Sequence, residues 1–265
     1  MKISKQPLVS IIMNCHNGEK YLKESIKSVL VQNYKNWELI FLNNCSNDNS
    51  KKIFKKFNDK RLKYFETRSF QNLYEARNLA IKKAKGKFIG FLDTDDLWEN
   101  EKLKCQIDLI KKKKFKIIYS NYYTLKNKKK FKTFDFFLPS GKITDNLVKK
   151  YFIGILTLLI EKKIFINYKF NNKYNIIGDF DLLMKLSTKY NIGAIQKPLA
   201  TYRVHKTNLS NAKIETHINE LEEWIDSNVN IFKKYSINLT FQKIYLLKLK
   251  VKKLMKKIFG RVVQW

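Results

Sequence analysis

Apolar and polar stretches alternate regularly over residues 8–92 of this 265-residue chain. Four short, almost uninterrupted apolar runs are typical of strands that are buried on both faces. Between them, apolar residues recur at the three- and four-residue spacing of a helix that buries one face. The predicted strands are residues 8–13, 37–42, 62–65 and 88–92, and the predicted helices are 21–30, 53–57 and 72–84. This alternation predicts an α/β fold whose mostly parallel sheet is joined by right-handed crossovers.

The pattern is less regular in the second half of the chain. The predicted elements are extended segments at 117–123, 155–161 and 192–204, a charged surface turn at 126–132, and helices at 179–190, from 213 onward and at 241–259. The segment at 192–204 fits either one strand or two. We therefore divide the chain into an α/β domain over residues 1–210 and a helical C-terminal extension over residues 211–265.

Polar side chains cluster directly after three of the predicted strands, at residues 14–17, 43–48 and 93–96. Because the carboxyl ends of parallel strands meet at one edge of a sheet, we expect these clusters to line a single ligand site. The third cluster, in F-L-D-T-D-D-L-W, places Asp93, Asp95 and Asp96 within four positions. Carboxylates packed this closely repel one another, and a hard divalent cation commonly offsets that repulsion. The alternative interpretation is a helix cap in a solvated turn.

The net charge of +31 changes this picture little. Nearly all of the excess is lysine, which an AT-rich genome also produces, so we discount it as a sign of a ligand. A nucleic-acid-binding protein is the alternative from another class, because lysines neutralise phosphates. The lysines are spread over every segment, no nucleic-acid-binding motif is present, and strand-end carboxylates would repel phosphates. We therefore expect no nucleic-acid partner.

The composition otherwise indicates a folded protein of a reducing compartment. Hydrophobic residues make up 44% of the chain, and three widely spaced cysteines indicate neither a disulfide framework nor a zinc site. The amino-terminal M-K-I-S-K-Q-P contains no long apolar region, and no apolar run approaches the ~20 residues of a membrane span. We expect a cytoplasmic protein that is either soluble or peripheral at the inner face of the cytoplasmic membrane.

The predicted helix at 241–259 carries seven lysines beside an apolar stripe. The stripe consists of Ile244, Leu247, Val251, Leu254, Met255 and Ile258, and the lysines are at 243, 248, 250, 252, 253, 256 and 257. Three interpretations remain open: a solvated helix packed on the domain, a helix on an anionic membrane surface, and a nucleic-acid-binding arm.

The order of the motifs resembles that of the family 2 glycosyltransferases, which have the GT-A fold. The resemblance rests on V-S-I-I-M-N-C-H-N-G-E-K-Y-L, N-C-S-N-D-N-S, E-A-R-N-L-A-I-K-K-A-K-G-K-F-I-G-F-L-D-T-D-D, G-D-F-D-L and Y-R-V-H, and it covers residues 8–210. It implies an enzyme that moves a sugar from a nucleotide-diphospho-sugar, expected to be UDP-linked, to an acceptor hydroxyl with inversion. The implied acceptor is a glycan or lipid-linked intermediate of surface glycan assembly, such as lipopolysaccharide or capsule.

The resemblance also assigns roles at the strand-end carboxylates. Asp93 and Asp95 become the D-x-D pair, with Asp95 as the direct ligand of Mg²⁺ or Mn²⁺. The metal would neutralise charge on the leaving diphosphate. Asp96 would lie beside the donor sugar, and Arg77 would face the nucleotide rather than being an ordinary surface residue.

The later motifs imply a general base and residues that contact the diphosphate and its metal. Asp179 would act as the general base, with Asp181 as the fallback, although both also fit the ordinary acidity of a helix N-terminus. Arg203 and His205 would close over the diphosphate, and His205 would join the metal ligands unless it is a structural histidine.

The nucleotide-sugar-binding residues are completed by Asn14, His16, Asn17, Asn43 and Asn44. Four of these positions depart from the family pattern, because Asn43 and Asn44 replace two aspartates, and Asn14 and His16 replace a proline and a tyrosine. In addition, the family's acidic pair before the late helix is reduced here to Gly178-Asp179, in which glycine replaces the first acidic residue. An inactive homologue or one of altered specificity is therefore the alternative within the family.

Overall fold

A computed structural model of the chain describes residues 6–205, residue 208 and residues 214–258. The strands in these ranges are β1 (Val9–Cys15), β2 (Trp37–Asn43), β3 (Leu62–Glu66), β4 (Phe88–Phe91), β5 (Leu97–Trp98), β6 (Ile117–Lys126), β7 (Lys129–Lys132), β8 (Leu159–Glu161) and β9 (Ile192–Val204). They form one sheet in the order β3-β2-β1-β4-β8-β6-β9-β5, and β7 pairs with β6.

Strands β1–β4 form the parallel half of the sheet that the alternating pattern predicted. β1 pairs in parallel with β2 on one side and with β4 on the other. All of β2 and all but one residue of β1 are buried, and this burial explains their uninterrupted apolar sequences. Because the strand order reverses direction at β1, a crevice opens beyond the carboxyl ends of β1 and β4.

The other half of the sheet is mixed. β8 is antiparallel to both β4 and β6, and β5 is antiparallel to β9. β9 runs parallel to β6 as a single strand of 13 residues, with register shifts near Asn121. The predicted strand at 155–161 begins instead with a 3₁₀ turn, Ile155–Thr157, and only Leu159–Glu161 pairs in the sheet.

The prediction of a charged surface turn at 126–132 is wrong, because this segment forms a hairpin between β6 and β7. Asn127 and Lys128 have φ values of 49° and 64°, the conformation that a tight two-residue hairpin turn requires. All four side chains of β7 are exposed. Backbone pairing therefore holds this lysine-rich strand, and no apolar alternation marks it in the sequence.

The helices in the described ranges are α1 (Glu19–Leu30), α2 (Ser50–Lys55), α3 (Leu73–Lys83), α4 (Lys102–Lys113), α5 (Thr144–Lys149), α6 (Ile164–Asn167), α7 (Gly178–Ser187), α8 (Ile214–Lys233) and α9 (Thr240–Ile258). The sequence pattern had not identified α4, α5 or α6. None of these helices is both long enough and apolar enough to cross a membrane.

Apolar clusters cover both faces of the sheet. One cluster includes Ile26 of α1 and Leu103 of α4, and the other includes Ala80 of α3, Trp224 of α8 and Leu249 of α9. The two helices of the predicted C-terminal extension thus share a core with the sheet. The predicted boundary at residue 210 lies outside the described residues, as do residues 1–5, the end of the last helix at Phe259, and the side chains of Lys256, Lys257 and Ile258.

Candidate active site

The crevice beyond the strand ends is a cavity of about 680 Å³. The predicted site residues that line it are Asn14, His16, Asn44, Arg77, Asp93, Asp95, Asp96 and Asp179. They come from the end of β1, from the loops after β1, β2 and β4, from α3 and from the start of α7. The structure therefore brings three strand-end clusters and one late motif into a single site, as the topology predicted.

Arg77 lies inside the site and is not an ordinary surface residue. Its side chain is 4% exposed, and Nη2 donates to both Asp93 oxygens at 2.9 and 3.0 Å. A buried guanidinium requires such a partner, because leaving it uncompensated would be costly. Arg77 consequently fixes the Asp93 carboxylate at the floor of the cavity.

Asp95 and Asp96 are held by the end of β9. The Arg203 backbone N–H donates to Asp96 Oδ1 at 2.9 Å, and Arg203 Nε donates to the Asp95 carbonyl oxygen at 2.9 Å. Burial, reinforced by the neighbouring carboxylates, raises the pKa of Asp95 and raises that of Asp96 well above its usual range. A solvated turn would leave Asp96 exposed, whereas the side chain is buried.

The Asp95 carboxylate and the His205 ring are in contact, with Asp95 Oδ2 and His205 Nε2 2.8 Å apart. A carboxylate oxygen is a ligand that both Mg²⁺ and Mn²⁺ prefer, and an imidazole nitrogen is one that Mn²⁺ takes more readily than Mg²⁺. Both oxygens of Asp93 already accept hydrogen bonds from Arg77. Within the described residues, no three acidic, histidine or cysteine side chains form a metal-binding group. The residues present fit a cation held by Asp95 and His205 and completed by ligands from elsewhere.

Asp179 is the second residue of α7, and Tyr74 of α3 contacts it. Asp179 Oδ1 accepts from the Phe180 N–H at 2.9 Å and from the Tyr74 hydroxyl at 3.3 Å. Burial raises the pKa of Asp179, and the Arg77 charge opposes that rise. A helix N-terminus alone would lower the pKa, so burial is the stronger effect here.

Gly178 departs from the family's acidic pair for a steric reason. A Cβ atom at this position would lie 2.6 Å from the Tyr74 ring, closer than real carbon contacts. The single Tyr74 hydroxyl hydrogen is shared between the Ile176 carbonyl at 2.6 Å and Asp179 Oδ1 at 3.3 Å, and the shorter bond fixes the ring over Gly178. The space of a second acidic side chain is thus occupied by the tyrosine that contacts Asp179.

Asp181, the fallback base, does not line the cavity. The side chain is buried against α8, where Trp224 Nε1 donates to Oδ1 at 2.9 Å. Lys185, one helical turn later, donates to Oδ2 at 2.9 Å. Residues 179 and 181 point to different sides of α7, and only the first reaches the site.

Asn43 and Asn44 use their amide groups within the protein. Asn44 pairs with the backbone of Gln71, donating to its carbonyl at 2.8 Å and accepting from its N–H at 2.9 Å. Asn43 is buried, donates to Glu66 at 2.9 Å and does not line the cavity. These side chains therefore shape the loop beside the site.

Of the two residues His16 and Asn17 after β1, the first lines the cavity and the second contacts a neighbouring loop. The His16 Nδ1–H donates to the Asn44 carbonyl at 2.8 Å, because a carbonyl only accepts, and this leaves Nε2 as the acceptor in the neutral ring. The exposed Phe70 ring packs edge-on against His16 at 4.8 Å. Asn17 accepts from the Asn47 N–H at 2.9 Å and stands outside the cavity.

Several cavity residues have no signal in the sequence. Tyr74, Tyr122 and Tyr151 line the cavity. They arrive from α3, β6 and the segment after α5, which tertiary packing alone brings together.

Comparison with known proteins agrees with this geometry. The profile of glycosyl transferase family 2 matches residues 10–184. The E. coli UDP-Glc:alpha-D-GlcNAc-diphosphoundecaprenol beta-1,3-glucosyltransferase WfgD is 34% identical over 211 residues, covering 78% of this chain and 81% of WfgD. TuaG of Bacillus subtilis, a glycosyltransferase named for teichuronic acid biosynthesis, is 27% identical over 215 residues, covering 78% of this chain and 83% of TuaG.

The same fold occurs in a solved structure. S. aureus TarS 1–349 in complex with UDP-GlcNAc superposes with a TM-score of 0.66 at 17% identity, covering 91% of this chain and 71% of that one. This likeness confirms the predicted GT-A fold. The profile match, spanning most of the chain, and the identity to WfgD establish the family: the chain belongs to glycosyl transferase family 2 and is a glycosyltransferase.

Proposed function

We propose that the protein transfers a sugar from a UDP-linked donor to a hydroxyl of a lipid-diphosphate-linked glycan, with inversion, during surface glycan assembly. The observation that carries this proposal is the convergence of Arg77, Asp93, Asp95 and Asp179 on one cavity. WfgD, by its name, uses UDP-glucose and an undecaprenyl-diphosphate-linked acceptor, and TarS binds UDP-GlcNAc. These names support the choice of donor and acceptor class.

In the proposed reaction, Asp179 accepts the proton of the acceptor hydroxyl as that oxygen attacks the anomeric carbon of the donor. The bond between the anomeric carbon and the diphosphate breaks, and the nucleoside diphosphate leaves with the bonding electrons. Attack from the face opposite the leaving group inverts the anomeric centre. Asp95 and His205 would hold Mg²⁺ or Mn²⁺, which supplies charge neutralisation for the leaving diphosphate.

The direct test is transfer of labelled glucose from UDP-glucose to N-acetylglucosaminyl-diphospho-undecyl lipid, with Mn²⁺ or Mg²⁺ and with EDTA. We expect transfer that EDTA abolishes and that Asp95→Asn reduces by at least 10²-fold. Asp108→Asn, at an exposed carboxylate of α4, is the matched control and should transfer as the wild type does. Full activity in EDTA would remove the metal from the proposal.

The donor nucleotide is tested separately by thermal shift with UDP-, GDP- and dTDP-sugars, because a ligand stabilises the folded protein by mass action. Asn43 and Asn44 make contacts within the protein. This arrangement favours an active enzyme that binds the nucleotide base in an altered way, rather than an inactive homologue. Stabilisation by none of the nucleotide sugars would favour the inactive homologue instead.

A lipid-linked acceptor would bring the enzyme to a membrane surface. We therefore propose peripheral association with the inner face of the cytoplasmic membrane. Support comes from the acceptor named for WfgD and from the lysine-rich composition, since anionic leaflets attract basic proteins.

A further inference from the structure

Helix α9 has two apolar faces, and only one of them packs against the protein. The inner face contributes Leu249 and Leu246 to the core, and Gln242 Nε2 donates to the Val148 carbonyl of α5 at 2.7 Å. The stripe noted in the sequence therefore does not attach the helix to the domain. It lies on the opposite face.

The outer apolar stripe is defined here as Ile244, Leu247, Val251, Leu254 and Met255. At 100° per residue these five positions fall within an arc of about 100°, centred opposite Leu246 and Leu249. Leu247 is 62% exposed and Leu254 is 55% exposed. A contiguous row of large exposed apolar side chains on a folded helix marks an interaction surface.

Lysines of α9 divide between the two faces. Lys250 and Lys253 form ion pairs with Glu222 and Glu215 of α8 at 2.6 and 2.7 Å, so they help to hold the two helices together. At 100° per residue, Lys243 and Lys248 flank the outer apolar stripe, each about 20° beyond one of its edges, and Lys252 lies about 60° beyond one edge. They form no ion pair with any residue in the described part of the chain.

We propose that the outer apolar stripe, with Lys243 and Lys248 along its two edges, is the surface by which the protein docks on an anionic lipid leaflet. The apolar side chains would enter the boundary between headgroups and acyl chains, and the lysines would lie at the level of the anionic headgroups. A nucleic acid would pair with the lysines but leave the stripe in water. A second copy of this face would bring two sets of unpaired lysines together. Docking requires no turnover, so its test does not depend on whether the proposed reaction is correct.

The test is co-sedimentation of the full-length protein with vesicles of phosphatidylcholine alone and of phosphatidylcholine with phosphatidylglycerol. We expect binding to the anionic vesicles that weakens at least tenfold in Leu247→Gln/Leu254→Gln. The pair Lys243→Glu/Lys248→Glu should weaken binding by on the order of fivefold or more per lysine. Because all four side chains are exposed, these variants should unfold at the wild-type temperature.

Two matched controls separate this face from general properties of the chain. Lys111→Glu/Lys112→Glu makes the same charge change on exposed positions of α4, and Ile166→Gln removes an exposed apolar side chain of α6. Both should bind vesicles as the wild type does. Equal weakening by the controls and the α9 variants would overturn the proposal, as would wild-type binding by the α9 variants.

Two further outcomes would also overturn it. Equal binding to neutral and anionic vesicles would remove the role of the lysines. A stable dimer in solution that Leu247→Gln/Leu254→Gln dissociates would identify the stripe as a contact between two copies of the chain.

Discussion

In the proposed reaction the proton is accepted by Asp179, whose environment shifts its pKa in two opposing directions. Burial raises its pKa and so favours the neutral acid. The Arg77 charge and the hydrogen bonds from Phe180 and Tyr74 favour the ionised form. A general base needs both influences, because it must be ionised before reaction and yet basic enough to accept a proton.

Asp179→Asn should mainly affect the transfer rate, whereas Asp181→Asn should mainly affect stability. Asp179→Asn should lower kcat by about 10²–10⁴-fold with little change in donor affinity, because only the proton acceptor is lost. Asp181→Asn loses its ion pair with Lys185 and perturbs the contact with Trp224, so it should lower the unfolding temperature and keep most of the transfer activity. Transfer rates, donor binding and thermal unfolding of both variants check this. An inactive Asp181→Asn beside an active Asp179→Asn would reverse the assignment.

Tyr74 positions Asp179 without contacting the reacting atoms in the proposed reaction. Tyr74→Phe keeps the ring over Gly178 but removes a hydroxyl that lowers the pKa of Asp179. The pKa of the base should therefore rise, and activity should be lost at a higher pH than in the wild type as the pH falls. The acid limb of the kcat/KM profile measures this shift.

The matched control is Tyr119→Phe, which removes a hydroxyl that donates to the Pro139 carbonyl at 2.7 Å, away from the cavity. It should lower stability and leave the acid limb in place. An acid limb that does not move in Tyr74→Phe would show that the hydroxyl has no influence on the base.

Among the elements, the strands with uninterrupted buried runs were predictable, whereas the exposed strand β7, the lysine-rich helix α4 and the short helices α5 and α6 were missed. β1, β2 and β4 are buried runs, so their ends, and with them Asp93–Asp96, could be placed from the sequence. β7 is fully exposed and is formed by backbone pairing. Helix α4 ends in three consecutive lysines and buries a lysine as well as leucine and isoleucine, so charge obscured its apolar periodicity.

That buried lysine, Lys102 of α4, gives a prediction about stability. Burial lowers its pKa well below 10.5; Nζ donates to Gln106 at 2.7 Å and lies 4.2 Å from the centre of the Trp98 ring. A lowered folded-state pKa means that the unfolded chain binds more protons, so this group's contribution to stability improves as the pH rises toward 10.5. Between the lowered folded-state pKa and 10.5, the unfolded chain carries a proton on this lysine that the folded chain lacks, and this difference favours unfolding.

Lys102→Met should therefore raise the free energy of unfolding at pH 7 by about 1 kcal/mol or more, and the gain should shrink as the pH rises toward 10.5. Denaturant unfolding at several pH values measures both effects. Lys104→Met, at an exposed position of the same helix, is the control and should change stability by less than ~0.5 kcal/mol. A loss of stability in Lys102→Met at pH 7 would mean that its contacts with Gln106 and Trp98 outweigh its burial.

At the scale of the whole molecule, the site joins two halves of the chain that differ in how well they could be predicted. The first half supplies Arg77, Asp93 and Asp95 through regular strand-helix units. The second half supplies Asp179 and His205, which only the family resemblance located, since Asp179 begins a helix and the extended segment before His205 is not an uninterrupted buried run. The spacing of residues 179 and 181 on one helix predicts that they face different sides, and α7 turns Asp179 toward the cavity and Asp181 toward α8.

The two C-terminal helices belong to the apolar cluster on one face of the sheet. The outer apolar stripe of α9 therefore has to be studied with point substitutions. Leu249 is 8% exposed and joins the cluster under the sheet, whereas Leu247, two residues earlier, is 62% exposed. Leu249→Ala should lower the free energy of unfolding by about 2–5 kcal/mol, because it removes packed methyl groups from a core that cannot fully close around the gap. Leu247→Ala should change it by less than ~0.5 kcal/mol. Deleting residues 240–265 should also destabilise the protein, so a deletion would confuse lost folding with lost membrane binding. Denaturant unfolding of the two alanine variants decides this: equal, small effects would mean that α9 rests on the surface and contributes nothing to the core.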